Sequence, residues 1–396
     1  MKHTAIICEY NPFHNGHLLQ TEELHARGAE TVTGILGGSF TQRGDAALTD
    51  SYSRAAAAVL SGGCDIVFEL PYPYSASAAD RFAEAGVSIA MRLGYPDSLA
   101  FGCEAENPDL LHAIADFLES PAAHRQIQAA RDRRTGTPGH LTDAVRRALG
   151  EKHAAELTRP NNILAVAYLR AIRRLGAPLE PVFVHRSTVQ HGDEQPCGSL
   201  ASSSAIRTLL AEGKNPEAFL PTESLRVFRK NEKSGEAPAD LRNAERLVLH
   251  VLRARDPESV EGCAEARGGL GRRILCAAAV TDSLNGLYRL AANRGQTNAH
   301  VRRAVLSLLL DTPETAEFIP PAFTLLLAAN GRGLSVFGSA EKSIPVISRP
   351  AEIPVALAQT ESFLLWERAE GLRSLCCPRV LPYKAYRTKR PLILPR

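Results

Sequence analysis

No run in this sequence approaches the ~20 consecutive apolar residues of a membrane helix. The start, Met1-Lys2-His3-Thr4, has neither the apolar core nor the cleavage site of a signal peptide, so a cytoplasmic location is expected. Cysteines are few and scattered, at positions 8, 64, 103, 197, 263, 276, 376 and 377. None forms a C-x-x-C pair, and a chain of 396 residues does not need disulfide staples, which argues against a zinc site or a disulfide framework. No other residue set reads as a metal site. Charge of one sign is missing too: 46 Lys+Arg against 43 Asp+Glu leaves +3, so any polyanion site must come from local clustering. Internal repeats, low-complexity tracts and compact DNA-reading modules are not evident. The 44% hydrophobic and 22% charged content is that of a globular protein, and the length implies about two to three domains.

What is present begins near the amino terminus. Thr4-Ala5-Ile6-Ile7 is too short for a helix and reads as a buried strand, whereas Leu18-Leu19-Gln20-Thr21-Glu22-Glu23-Leu24 has helical spacing. Between them lies Cys8-Glu9-Tyr10-Asn11-Pro12-Phe13-His14-Asn15-Gly16-His17. Such a loop delivers backbone N–H groups and the positive end of a helix dipole to one place, a natural seat for phosphate. Gly16 permits close approach, and His14 and His17 can donate to phosphate oxygens as charge builds during attack at phosphorus.

The Glu9 to His17 stretch resembles the signature of the HxGH nucleotidyltransferases. That superfamily includes the class I aminoacyl-tRNA synthetases and the phosphopantetheine and nicotinate adenylyltransferases. Within it the loop is most similar to the bacterial tRNA(Met) cytidine acetate ligases. Further motifs follow in order over roughly the first 210 residues. Strand Thr31–Leu36 leads into Gly37-Gly38-Ser39-Phe40-Thr41-Gln42-Arg43-Gly44-Asp45, where the family usually has Asn at Ser39. Strands at Asp65–Leu70 and Ser98–Phe101 come next, the latter ending at Gly102. Arg159-Pro160-Asn161-Asn162 opens a helix, Val182-Phe183-Val184 precedes Arg186, and Leu200 to Arg207 carries Ser202, Ser203 and Ser204. The family commonly has Thr in place of Ser203 or Ser204.

The resemblance implies an α/β fold: a Rossmann-like HxGH nucleotidyltransferase domain with a parallel sheet over residues 1–215, holding a helical insertion at about 107–157. A helical domain (216–320) and a small carboxyl-terminal region with a basic tail (321–396) would follow. It implies ATP with Mg²⁺, acetate activated as acetyl-adenylate, and acetylation of the wobble cytidine of elongator tRNA(Met) to N4-acetylcytidine. His14 and His17 would be catalytic. ATP would be bound by Ile7, Cys8, Glu9, Tyr10, Asn11, Pro12, Phe13, His14, Asn15, Gly16, His17, Leu18, Leu19 and Gln20, and by Gly102, Asn161, Asn162, Arg186, Ser203, Ser204 and Arg207.

The later part reads as amphipathic helices at 247–253, 272–290 and 300–310. In the last, Val301, Ala304, Val305, Leu308 and Leu309 form a core stripe, with Arg302 and Arg303 expected on the opposite face. The final 24 residues hold seven Lys/Arg and no Asp/Glu. Arg302, Arg303, Lys384, Arg387, Lys389 and Arg390 are therefore the candidate RNA contacts, with Tyr383 and Tyr386 available for stacking. The alternatives are an enzyme joining a nucleotide to a phosphorylated metabolite, and a non-catalytic RNA-binding protein on the same fold.

Overall fold

The computed structural model describes residues 1–131, 137–185, 198–293 and 296–395. Five parallel strands form the centre of the sheet: β1 (His3–Cys8), β2 (Thr31–Gly37), β3 (Ile66–Leu70), β4 (Ser98–Cys103) and β5 (Glu180–His185). Their order is β5-β4-β1-β2-β3. β2 and β3 are buried at every residue, as a parallel sheet covered on both faces requires. The covering helices are α1 (Asn15–Ala26), α2 (Ser51–Leu60) and α3 (Ala79–Arg92), and, between β4 and β5, α4 (Asp109–Glu119), α5 (Pro121–Arg131), α6 (Thr137–Leu149), α7 (Glu151–Glu156) and α8 (Pro160–Leu175). α8 begins on Pro160 and stops at Gly176, whose φ of 57° suits glycine.

From β1 the chain steps outward to β2 and β3, then returns to lay β4 on the other side of β1. The carboxyl ends of β1 and β4 therefore flank a topological switch point, where open α/β sheets bind ligands.

A helical region follows: α9 (Ser203–Ala211), α10 (Thr222–Ser234), α11 (Glu245–Ala254), α12 (Leu270–Val280), α13 (Leu284–Ala291) and α14 (Asn298–Leu310). The single helix expected over 272–290 is two helices. Thr281 turns extended, and Ser283 caps α13 by accepting from the Gly286 N–H at 3.2 Å. A Thr-Asp-Ser run offers side-chain oxygens that compete with helical bonding. The core of this region takes in Phe40, Tyr72 and Ala76 from the sheet loops.

The last segment holds β6 (Thr324–Ala329), α15 (Gly331–Ser339), β7 (Val346–Ile347), α16 (Val355–Ala358), α17 (Glu361–Cys376) and β8 (Leu392–Ile393). β6 pairs antiparallel with β3, and β7 and β8 pair with β6, so these three strands extend the same sheet. Trp366 of α17 is buried among Phe323, Phe363 and Tyr386. Among the described residues no helix is long and apolar enough to cross a membrane.

Candidate active site

The loop after β1 is anchored by aromatic packing. Tyr10 is buried with φ 44°, a left-handed conformation unusual for a side-chain-bearing residue. Its ring meets Phe13 edge-on at 4.9 Å and His17 at 4.9 Å. Phe13 lies on Gly63, where an added Cβ would come within 2.4 Å of the ring. Polar ties fix the rest: Asn11 accepts from the Leu48 N–H at 2.8 Å, and Ser224 of α10 donates to the Phe13 carbonyl at 2.6 Å.

His14 is the N-cap of α1, and the two histidines form a reciprocal cap. His14 Nδ1 accepts from the Gly16 N–H at 3.1 Å, and His17 Nδ1 accepts from the His14 N–H at 3.3 Å. An imidazole nitrogen that accepts carries no proton, so each ring bears its N–H at Nε2 in the neutral form. The rings stack at 3.7 Å. Gly16 fits closely here: a Cβ would meet the His14 ring at 3.1 Å.

Across from this cap stands the serine-rich segment. Ser202 caps α9 by accepting from the Ala205 N–H at 3.1 Å, and its hydroxyl lies 3.1 Å from that of Ser204. Asn15 donates to the Ser199 and Ala218 carbonyls at 3.0 and 3.1 Å, tying the segment to α1. Arg207 donates to the Asn11 carbonyl at 3.0 Å. Burial weakens its hold on the proton while Glu9 and Asp45 strengthen it; arginine remains charged.

Glu9 forms the floor. Burial pushes its carboxyl up, while the Gln42 N–H, donating at 2.6 Å, and the Arg207, Arg54 and Arg43 guanidinium groups draw it back. Arg54 of α2 was not anticipated from sequence. It is fully enclosed and donates to the carbonyls of Glu9, Gly37 and Gly38 at 2.5, 2.8 and 2.5 Å, fixing the exits of β1 and β2. The signal was an arginine within the alanine-rich face of α2. Ser39, where the family has Asn, donates instead to Glu370 of α17.

These groups line one cavity of about 1710 Å³. Its wall includes Ile7, Cys8, Glu9, Tyr10, Asn11, His14, Gly16, His17, Leu19, Gln20, Asn161, Ser203, Ser204 and Arg207. Pro12, Phe13, Asn15, Leu18, Gly102 and Asn162 are not on that wall. Gly102 is paired with Val184 inside the sheet. Asn162 is buried, accepting from the Glu104 N–H at 2.8 Å and donating to Glu156 at 2.7 Å, which joins the exit of β4 to α8. Arg186 lies outside the described residues; its neighbour His185 is on the wall.

The helical region closes the far side, with Arg302 and Arg303 on the wall. Arg303 is not on the outward face expected for it. It is buried and grips Glu265 in a two-pronged pair at 2.9 and 3.1 Å. The basic tail sits elsewhere. Lys389 is held between Asp50 at 2.7 Å and Glu236 at 2.9 Å, Lys384 lies 3.5 Å from Glu367, and Arg387 and Arg390 are exposed.

A parallel sheet with a histidine-capped helix at its switch point defines a nucleotide-activating class, and a model of the HIGH Nucleotidyl Transferase family matches residues 1–386. The tRNA(Met) cytidine acetate ligase of Syntrophotalea carbinolica is 31% identical over 91% of this chain and 88% of its own. That of Caldanaerobacter subterraneus subsp. tengcongensis is 29% identical over 92% of each. Thermotoga maritima TmcAL in its apo form superposes over the whole of both chains with a TM-score of 0.91 at 22% identity. The same protein bound with alpha-thio ATP gives 0.90. The chain belongs to the HIGH nucleotidyltransferases and, within them, to the tRNA(Met) cytidine acetate ligase family.

Proposed function

We propose that this protein is a cytoplasmic ligase that activates acetate with ATP and acetylates the wobble cytidine of elongator tRNA(Met). The observation that carries the reading is the reciprocal His14–His17 cap at the switch point, facing Arg207 and the serine N-cap of α9 across one cavity. The names of its relatives and the alpha-thio ATP held by the Thermotoga protein support it.

In the first step an acetate oxygen attacks the α-phosphorus, and the bond to the bridging oxygen breaks, giving acetyl-adenylate and pyrophosphate. Two anions must be brought together, so alignment and charge shielding carry the catalysis and no side-chain nucleophile is needed. His14 and His17 donate from Nε2 to the oxygens of the five-coordinate phosphorus. Ser203, Ser204 and Arg207 hold the departing pyrophosphate. Among the described residues no group of three or more His, Cys, Asp and Glu converges on a metal position. Mg²⁺ would enter with the nucleotide and shield the charge of its phosphates.

In the second step the cytidine amine attacks the acetyl carbonyl carbon, AMP leaves, and the amine's surplus proton passes to water. The base must be unstacked to reach the adenylate. Arg387 and Arg390 offer exposed charge for the tRNA backbone.

Incubation with labelled acetate, ATP and tRNA, without acetyl-CoA, should place label on tRNA(Met) as N4-acetylcytidine. Label that appears only with acetyl-CoA would refute the proposal.

A further inference from the structure

Arg303 bridges the two halves of the molecule. Its Nε and Nη2 hold both oxygens of Glu265, and its Nη1 donates to the Gln42 carbonyl at 3.2 Å. The Gln42 N–H in turn donates to Glu9 on the cavity floor. Arg302 pairs with both oxygens of Asp45 at 2.8 and 2.9 Å. Between these contacts Gly44 adopts φ +82°, and a Cβ there would come within 2.7 Å of the Arg303 nitrogen, so the loop rests directly on the backbone of α14. Glu265 itself has φ 59°, a left-handed conformation that is unfavourable for a side-chain-bearing residue and persists only where its surroundings hold it. That strained residue presents its carboxylate to Arg303 and to His300, whose Nε2 is 3.3 Å away.

We propose that Arg303, held by Glu265, is a positioning residue: through the Gln42–Asp45 loop it sets Glu9 and Arg43 for acetate, which makes the helical region part of the activation site. Arg303 touches no reacting atom; it acts by fixing the loop that does. A buried two-pronged guanidinium pair is suited to this because it fixes direction as well as distance, which lysine cannot. Loosening the loop misaligns the smaller substrate. On the reading above, the histidine cap and the α9 serines take the ATP phosphates.

The kinetic arm of the test rests on the acetate-activating reading above; the structural arm does not. In Arg303→Lys, amide hydrogen exchange at residues 40–46 of the protein without substrates should quicken while β1 to β4 keep their protection. In pyrophosphate–ATP exchange the KM for acetate should rise about 10- to 100-fold, with the KM for ATP unchanged. Glu265→Gln, which keeps the shape of the partner, should show both effects more weakly, and it carries the test if Arg303→Lys does not fold. Unchanged protection at 40–46, or a loss of rate that tracks unfolding with both KM values unaltered, would overturn the proposal. If the wild-type protein shows no acetate-dependent exchange, the functional reading falls, and amide exchange alone decides the role of Arg303.

Discussion

His14 and His17 stack with ring centroids 3.7 Å apart; His14 Nδ1 accepts from the Gly16 N–H in the first turn of α1, and His17 Nδ1 accepts from the N–H of His14, the N-cap. One pair of residues thus both starts the helix and presents two N–H groups from the same place. Alanine substitution would confuse these roles, but asparagine separates them. Asn caps as well as any residue and has no counterpart of Nε2, so His14→Asn should stay within about 1 kcal/mol of wild type in thermal unfolding. Acyl-adenylate formation should nonetheless fall about 10²- to 10³-fold. A fully active His14→Asn protein would remove the phosphate-donor role.

The basic tail is a latch as well as a charged surface. Burial raises the Asp50 carboxyl, but the Lys389 ammonium and the Arg373 guanidinium outweigh it and hold the group at about 2 rather than 3.8. A depressed carboxylate stabilises the fold above its unfolded value and loses that contribution as pH falls through the folded one. Wild type should therefore lose on the order of 2 kcal/mol between about pH 4 and pH 2 from this group. Lys389→Met should lose much of it already at pH 7, as urea unfolding would show.

A second buried group works in the opposite sense. Burial pushes Glu69 up from 4.5, and neighbouring Glu370 adds to the effect, although Ser51 and Trp366 both donate to its carboxyl at 2.7 Å. Above pH 4.5 the folded protein keeps a proton that the unfolded chain has released, so stability falls as pH rises toward 8. Glu69→Gln should flatten that decline in thermal unfolding between pH 5 and pH 8. An unchanged slope would place the cause elsewhere.

Arg387 and Arg390 are exposed and lie outside the cavity wall. Replacing both by Gln should weaken tRNA binding and lower the slope of log K against log salt by about 0.7–0.9 for each phosphate contact removed. Acyl-adenylate formation without tRNA should not change. Filter binding at several salt concentrations reads the first, and pyrophosphate exchange the second.

The parallel sheet and the strand–loop–helix setting of His-x-Gly-His were legible in sequence because both are local: short apolar runs alternate with helical periodicity, and the loop lies between a strand and a helix. What escaped depends on distant chain. Arg303 reads as an outward residue on the α14 stripe, but a loop 261 residues earlier covers it. β6 is an apolar run with nothing in its own residues to say that it pairs antiparallel with β3. Arg54 went unread in sequence because its partners are carbonyls, which leave no trace in composition. Asn162, given to ATP by the resemblance, instead bonds the Glu104 N–H and Glu156, partners that its own stretch of sequence does not reveal.

On the proposed function, this cavity joins acetate to the α-phosphorus of ATP without RNA. Exchange of labelled pyrophosphate into ATP, with and without acetate and in the absence of tRNA, tests it directly. Exchange should depend on acetate and be lost in the double variant His14→Asn, His17→Asn. Exchange driven instead by a phosphorylated metabolite, with none for acetate, would contradict it and make the protein a nucleotide-joining enzyme.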